Sequence, residues 1–150
     1  MNQEQLDILR RLTEEMITFN KTVGMKFVSA EHGTAQLKFD FKPELVGNFM
    51  LKVLHGGVIS AALDMVGGLA IMTTLLDKGQ INGMGTVDMR VDFLNPGRGD
   101  WFKATGTVMR EGKVLWSSRM ELHNDQDDLI AIGTGVYRVS MKKEEVFMTV

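Results

Sequence analysis

Apolar and polar positions alternate in four stretches of the second half of the chain: Thr86 to Leu94, Trp101 to Arg110, Lys113 to Asn124 and Leu129 to Val139. A period of two predicts strands. In the first of them Val87, Met89, Val91 and Phe93 share one face and Asp88, Arg90 and Asp92 the other, as in a half-buried strand. Two further strand patterns, Met25 to Glu31 and Thr34 to Phe41, flank His32-Gly33 and predict a hairpin. Glu111-Gly112 and Asp125 to Asp128 mark later turns, and Asn95-Pro96-Gly97-Arg98-Gly99 a longer loop. Two segments carry helical patterns instead. Leu6, Leu9, Leu12, Met16 and Phe19 predict an amphipathic helix over 1–22, broken at Gly24. From Val58 to Leu76 every side chain except Asp64 is apolar, small or a hydroxyl, and Asp77, Lys78 and Gly79 supply a stop. This predicts a buried helix over 56–77, about 30 Å long at 1.5 Å per residue. Six strands with one long helix inserted after the second describe an α+β fold: an antiparallel six-stranded sheet wrapped around a central helix, plus an N-terminal helix, in one domain over 1–150.

Gly57, Ser60, Ala61, Ala62, Gly67, Gly68 and Ala70 give the long helix a thin waist. Interior glycine costs about 1 kcal/mol relative to alanine, so something gains from close approach, most simply a curved sheet pressed against the helix. The helix has the length of a membrane span. Against that reading stand Asp64 near its middle, the absence of an aromatic belt and the lack of a second such segment. Met1 to Asn20 is charged and amphipathic and contains no signal-peptide core.

Composition narrows the chemistry. With no cysteine there is no disulfide, thiolate metal site or cysteine nucleophile, and a cytoplasmic protein is expected. The net charge of −2 gives no argument for nucleic acid or a membrane surface. His32, His55 and His123 show no metal-ligand spacing, and no metal or cofactor is expected. The 12 methionines suit surfaces that accept flexible apolar ligands, although each also suits a core.

The candidate chemistry lies at the start of the long helix. His55-Gly56-Gly57 opens it, and Gly57 sits where backbone N–H groups lack intrahelical partners and the macrodipole favours negative charge. Such a donor, aimed at a developing oxyanion, lowers an acyl-transfer barrier by about 3 kcal/mol. Asp64 lies seven residues on, about 10 Å along one helix. The two cannot grip one carbonyl within a single helix, but a two-fold dimer can set Gly57 of one chain opposite Asp64 of the other. The alternative for Asp64 is a structural carboxylate satisfied by a neighbour. His55 is placed to bond locally as a neutral imidazole rather than to act as a base.

His-Gly-Gly, six residues and then Asp resembles the motif of the PaaI-like hotdog-fold acyl-CoA thioesterases. The resemblance spans Phe19 to Val139. Val46-Gly47-Asn48, Leu54 to Val58, Gly85 to Leu94 and Pro96 to Gly99 look most like the medium- and long-chain acyl-CoA branch. The resemblance implies a hotdog fold and an acyl-CoA substrate. It implies Asp64 as the acid, attacking the thioester or activating water, and Gly57 as the oxyanion donor from the partner subunit. Asn48 resembles the asparagine that places thioester or water, though its spacing to His55 is one residue longer than in that pattern. Thr86 resembles the serine that holds the water beside the acid. Gly56 falls to the substrate site with the same motif. Where relatives carry a basic residue before the proline, this chain has Asn95, leaving Arg98 for the CoA phosphates. Arg90 either reaches CoA at the rim or pairs across strands with its acidic neighbours. Phe19 either closes the acyl channel or packs in the core.

Hydrolysis of acyl-CoA is the leading expectation, with medium or long chains favoured and a homodimer or homotetramer as the assembly. The alternatives are an aryl-CoA (phenylacetyl-type) thioesterase and a non-catalytic acyl-CoA sensor.

Overall fold

The computed structural model describes residues 1–79 and 81–141. Residue 80 and residues 142–150, part of the single domain expected over 1–150, lie outside that description. Helix α1 (Gln3–Arg11) starts at a reciprocal cap: Gln5 N–H donates to Asn2 Oδ1 at 2.9 Å, and Asn2 N–H to Gln5 Oε1 at 3.0 Å. A π turn over Leu12–Met16 follows, Ile17 is extended, and α2 (Thr18–Val23) closes at Gly24, whose φ is +86°. The continuous helix expected over 1–22 is therefore interrupted. A π turn inserts one residue per turn and moves the inward phase along by one. Leu9 and Leu12 face inward as expected, but Ile17, Asn20 and Val23 take the inner positions beyond the turn, leaving Met16 and Phe19 67% and 54% exposed.

Strands β1 (Lys26–Glu31) and β2 (Thr34–Asp40) form the predicted hairpin, with Gly33 at φ +79°. A short pair absent from the sequence expectations, β3 (Val46–Asn48) and β4 (Val53–Leu54), precedes the central helix α3 (Gly56–Thr73). The helix stops at Thr73 rather than running to 77. Thr73 and Thr74 hydroxyls bond back to the carbonyls of Ala70 and Ile71, and Thr73 Oγ1 also accepts the Gly33 N–H at 2.7 Å. Strand β5 (Ile81–Phe93) begins at Ile81 rather than Thr86, because Ile81 and Met84 pack toward Trp116 and Tyr137. Ile81 and Met84 are three residues apart and share a face only because the register shifts between Ile81 and Gly83, so the period of two fails there in the sequence. Then come β6 (Trp101–Arg110), β7 (Leu115–Asn124) and β8 (Leu129–Met141).

The six long strands form one antiparallel sheet in the order β1-β2-β6-β7-β8-β5, and α3 contacts all six. The sheet thus wraps the helix. Ala62, Leu63, Val66 and Leu69 bury one side of α3 against Leu37, Phe102, Met120 and Leu122, while Phe39 and Phe102 stack at 5.4 Å. At the closest approach no side chain intervenes. A Cβ on Gly106 of β6 would lie 2.8 Å from the Val66 carbonyl carbon, and one on Gly67 would lie 2.7 Å from Ser118 Oγ and 2.9 Å from Met120 Sδ. The thin waist serves this contact. By length and composition α3 could cross a membrane, but 56% of it is buried inside the fold as its core helix.

Candidate active site

Asp64 sits midway along α3, half-buried, and Thr86 Oγ1 on β5 donates to its Oδ1 at 2.7 Å. The helix holds the acid and the edge strand holds the hydroxyl. Below the acid, Tyr137 of β8, 2% exposed, donates its phenol to the Asp64 carbonyl at 3.0 Å. Burial first, and then the Asp64 charge, push the phenol well above the usual tyrosine range. Sequence reasoning did not single out Tyr137. Its only signal was a lone tyrosine on the inward phase of a strand.

Asp64 and Thr86 open onto a cavity of about 460 Å³. Met65, Gly68, Leu69 and Met72 line it from α3, and Ile81 and Met84 from β5. Leu12 and Ile17 complete the wall from the N-terminal segment. Positions 64, 65, 68, 69 and 72 form one stripe of the helix. From Asp64 to Met72 the stripe runs about 12 Å at 1.5 Å per residue. The methionines expected to suit a flexible apolar ligand supply much of this lining. Phe19 is exposed and does not line this cavity, so it is not the core residue that one of its two readings made it; the phase shift at the π turn turns Ile17 inward instead.

A second group of candidate residues gathers at the start of α3. His55 is the N-cap, and its Nδ1 accepts the Gly57 N–H at 2.8 Å. The Gly57 donor, expected to be unpaired, is therefore capped by its own chain, because the turn brings the imidazole of residue i onto the N–H of i+2. That bond also fixes the ring as the tautomer with its proton on Nε2. Gly56 lies against the Phe93 ring. Asn48 Oδ1 accepts from Met50 N at 3.0 Å and Leu51 N at 3.1 Å, shaping an exposed loop in which Phe49 is 83% and Met50 78% exposed. The 95–99 loop is pinned to this group: Leu54 N–H donates to the Gly97 carbonyl at 3.0 Å, and Asn124 Nδ2 holds the Arg98 carbonyl at 2.8 Å while the Arg98 side chain stays exposed. His55, Gly56, Gly57, Asn48 and Arg98 thus belong to one region, and Asp64 and Thr86 to another farther along the same helix. Arg90 belongs to neither. It pairs with Asp92 on its own strand at 3.0 Å rather than across strands. Among the described residues no cluster of three His, Asp or Glu side chains could hold a metal ion.

An apolar cavity with one carboxylate at its wall can take an apolar group and present an acid or nucleophile to it, and a helix N-terminus rich in glycine can offer backbone donors to an anion. Residues 51–131 match the thioesterase superfamily. The chain is 36% identical over 147 residues to the medium/long-chain acyl-CoA thioesterase YigI of Escherichia coli, covering 91% of this chain and 95% of that protein. A crystal structure from Shewanella oneidensis, described as related to the thioesterase superfamily, is 36% identical with a TM-score of 0.79, covering 93% of this chain and all of the other. The PaaI protein of E. coli, from the phenylacetic acid degradation operon, shares the fold with a TM-score of 0.78 over 91% of this chain and 94% of its own, at 21% identity. The chain has the hotdog fold and belongs to the thioesterase superfamily, a family of thioester hydrolases.

Proposed function

We propose that the protein hydrolyses acyl-CoA thioesters with medium or long acyl chains, releasing the free acid and CoA. The observation that carries this reading is the Asp64 carboxylate, held by Thr86 at 2.7 Å, on the wall of an otherwise apolar cavity of about 460 Å³. The name of the E. coli relative points to the same substrate class. With Oδ1 held by Thr86, Oδ2 is the oxygen that acts. It either takes a proton from a water that attacks the carbonyl carbon, or attacks that carbon itself to give an anhydride that water then opens. Either path passes through an oxyanion and expels the CoA thiolate, which takes up a proton. The steps as written call for neither a metal nor a redox cofactor, and a CoA substrate fits a cytoplasmic location.

The oxyanion donor is the Gly57 N–H of a second copy. Within one protomer the two groups are about 10 Å apart along α3, and a two-fold axis unites the half-sites. Strand β5 is one of the two edges of the sheet; Val87 and Phe93 on it are 60% and 56% exposed, and among the described residues nothing would meet a Cβ on Gly83 or Gly85 within 4 Å. An edge that long and apolar invites pairing. The exposed His55 ring must give up its bond to the Gly57 N–H for a thioester carbonyl to take that donor. Light scattering tests the assembly, including whether dimers pair further into a tetramer.

The first experiment is thiol release from decanoyl-CoA by wild type and Asp64→Asn side by side. Rapid release that falls at least about 100-fold in the variant is expected. No release by wild type from hexanoyl-, decanoyl-, palmitoyl- or phenylacetyl-CoA would overturn the reading, and a preference for phenylacetyl-CoA would overturn the chain-length part of it.

A further inference from the structure

The N-terminal segment is bent in a specific way, and the bend has a buried support. Thr13, fully buried, donates its hydroxyl to the Leu9 carbonyl at 2.8 Å. Asn20, 3% exposed, donates Nδ2 to the Thr13 carbonyl at 3.1 Å. That carbonyl is one a regular helix would bond to residue 17; the π turn and the extended Ile17 (φ −92°, ψ 105°) leave it without that partner. A buried amide committed to an open carbonyl stabilises the break rather than a continuous helix. Its result is that Leu12, the first residue of the π turn, and Ile17, the residue just after it, both face the cavity that holds Asp64.

We infer that the π turn sets Leu12 and Ile17 as the wall that limits acyl-chain length, making Ile17 a specificity-determining residue. This rests on the acyl-CoA reading above. The stripe from Asp64 to Met72 gives the chain a track, and β5 closes one flank with Ile81 and Met84. Another part of the wall belongs to a separate segment, the N-terminal one, whose inward phase beyond Leu12 is set by the π turn. In an apolar pocket each methylene that is buried adds to the binding of the chain. A wall moved by one side chain therefore changes which chain length fits.

The test is the specificity constant of wild type, Ile17→Ala and Ile17→Trp toward hexanoyl-, decanoyl- and palmitoyl-CoA, with circular dichroism to confirm folding. Ile17→Trp should lower the constants for decanoyl- and palmitoyl-CoA by about tenfold or more while leaving hexanoyl-CoA within about threefold, and Ile17→Ala should shift the preference toward palmitoyl-CoA. Equal changes at all three lengths, or none, would overturn the inference. Displacement of the fluorescent fatty acid cis-parinaric acid by hexanoate, decanoate and palmitate reads the same wall without catalysis. If wild type hydrolyses no thioester, the enzymatic reading fails, but a selective loss of long-chain displacement in Ile17→Trp upholds the wall. No displacement by any acid from wild type would refute it. If Ile17→Trp fails to fold, the Ile17→Ala shift alone decides.

Discussion

Thr86 Oγ1 donates a 2.7 Å hydrogen bond to Asp64 Oδ1 and so ties the edge strand β5 to the middle of the central helix. A hydrogen bond to a charged group contributes about 1.5–3 kcal/mol. Thr86→Val keeps the shape and removes the donor, and turnover should fall by roughly 10- to 100-fold with KM little changed, whereas Thr86→Ser should stay within a few-fold of wild type. Steady-state kinetics on decanoyl-CoA check both. A Thr86→Val enzyme as fast as wild type would remove Thr86 from the reaction.

Tyr137 is the one tyrosine in the chain, so tyrosinate absorbance reports it alone. Its folded pKa is raised, by burial first and the Asp64 charge second, while the unfolded chain gives up the proton near pH ~10. Above that pH the unfolded state binds fewer protons than the native state, so this group makes stability fall as pH rises and has no effect below it. The slope approaches about 1.4 kcal/mol per pH unit. Denaturant titrations at rising pH should show this loss in wild type and a shallower one in Tyr137→Phe. Tyrosinate should form together with unfolding; its appearance in the folded protein near pH ~10 would contradict the burial argument.

The contact between α3 and β6 separates two glycine substitutions. At Gly106 a methyl would press on the Val66 carbonyl, backbone that cannot yield, and Gly106→Ala should destabilise by about 1–3 kcal/mol or more. At Gly68 the nearest atom is the Met84 methyl at 3.1 Å, the end of a flexible side chain, so Gly68→Ala should cost well under that. Thermal melts of the pair measure the difference.

Arg98 has its backbone fixed and its guanidinium in solvent. If it holds the CoA phosphates, Arg98→Ala should raise KM several-fold with kcat nearly unchanged, since it removes binding shared by ground and transition states. A short acyl thioester of pantetheine, which lacks the nucleotide phosphates, should be indifferent to the change.

What could be read from the chain divides along physical lines. Asp64 stood out because one carboxylate on an apolar helix needs a reason to be there, and the sheet stood out because alternation survives in β6, β7 and β8. The N-terminal helix misled at Met16 and Phe19: an apolar stripe read at a constant 3.6 residues per turn cannot register a π turn, whose support comes from Thr13 and Asn20 only once they are buried. The start of β5 was hidden by the register shift between Ile81 and Gly83, which sets Ile81 and Met84, three residues apart, on one face and so breaks the period of two. The His55 cap on Gly57 was unreadable for another reason, since a histidine before two glycines is equally compatible with a ring turned toward the helix or away from it.

The backbone contact at Gly106 and Val66 also bears on how the acid meets its substrate. Where side chains separate a helix from a sheet, they form a compliant layer in which the helix can roll by a rotamer change. Here the helix rests on the strand like a shaft on a bearing, and rolling it would drive peptide into peptide. The azimuth of Asp64 is therefore set when the domain folds, not when a ligand arrives. On the proposed acyl-CoA reading, adjustment to different tails is left to the segments that touch α3 through side chains, so tolerance toward the hydrocarbon and precision at the carboxylate are housed in different parts of the chain.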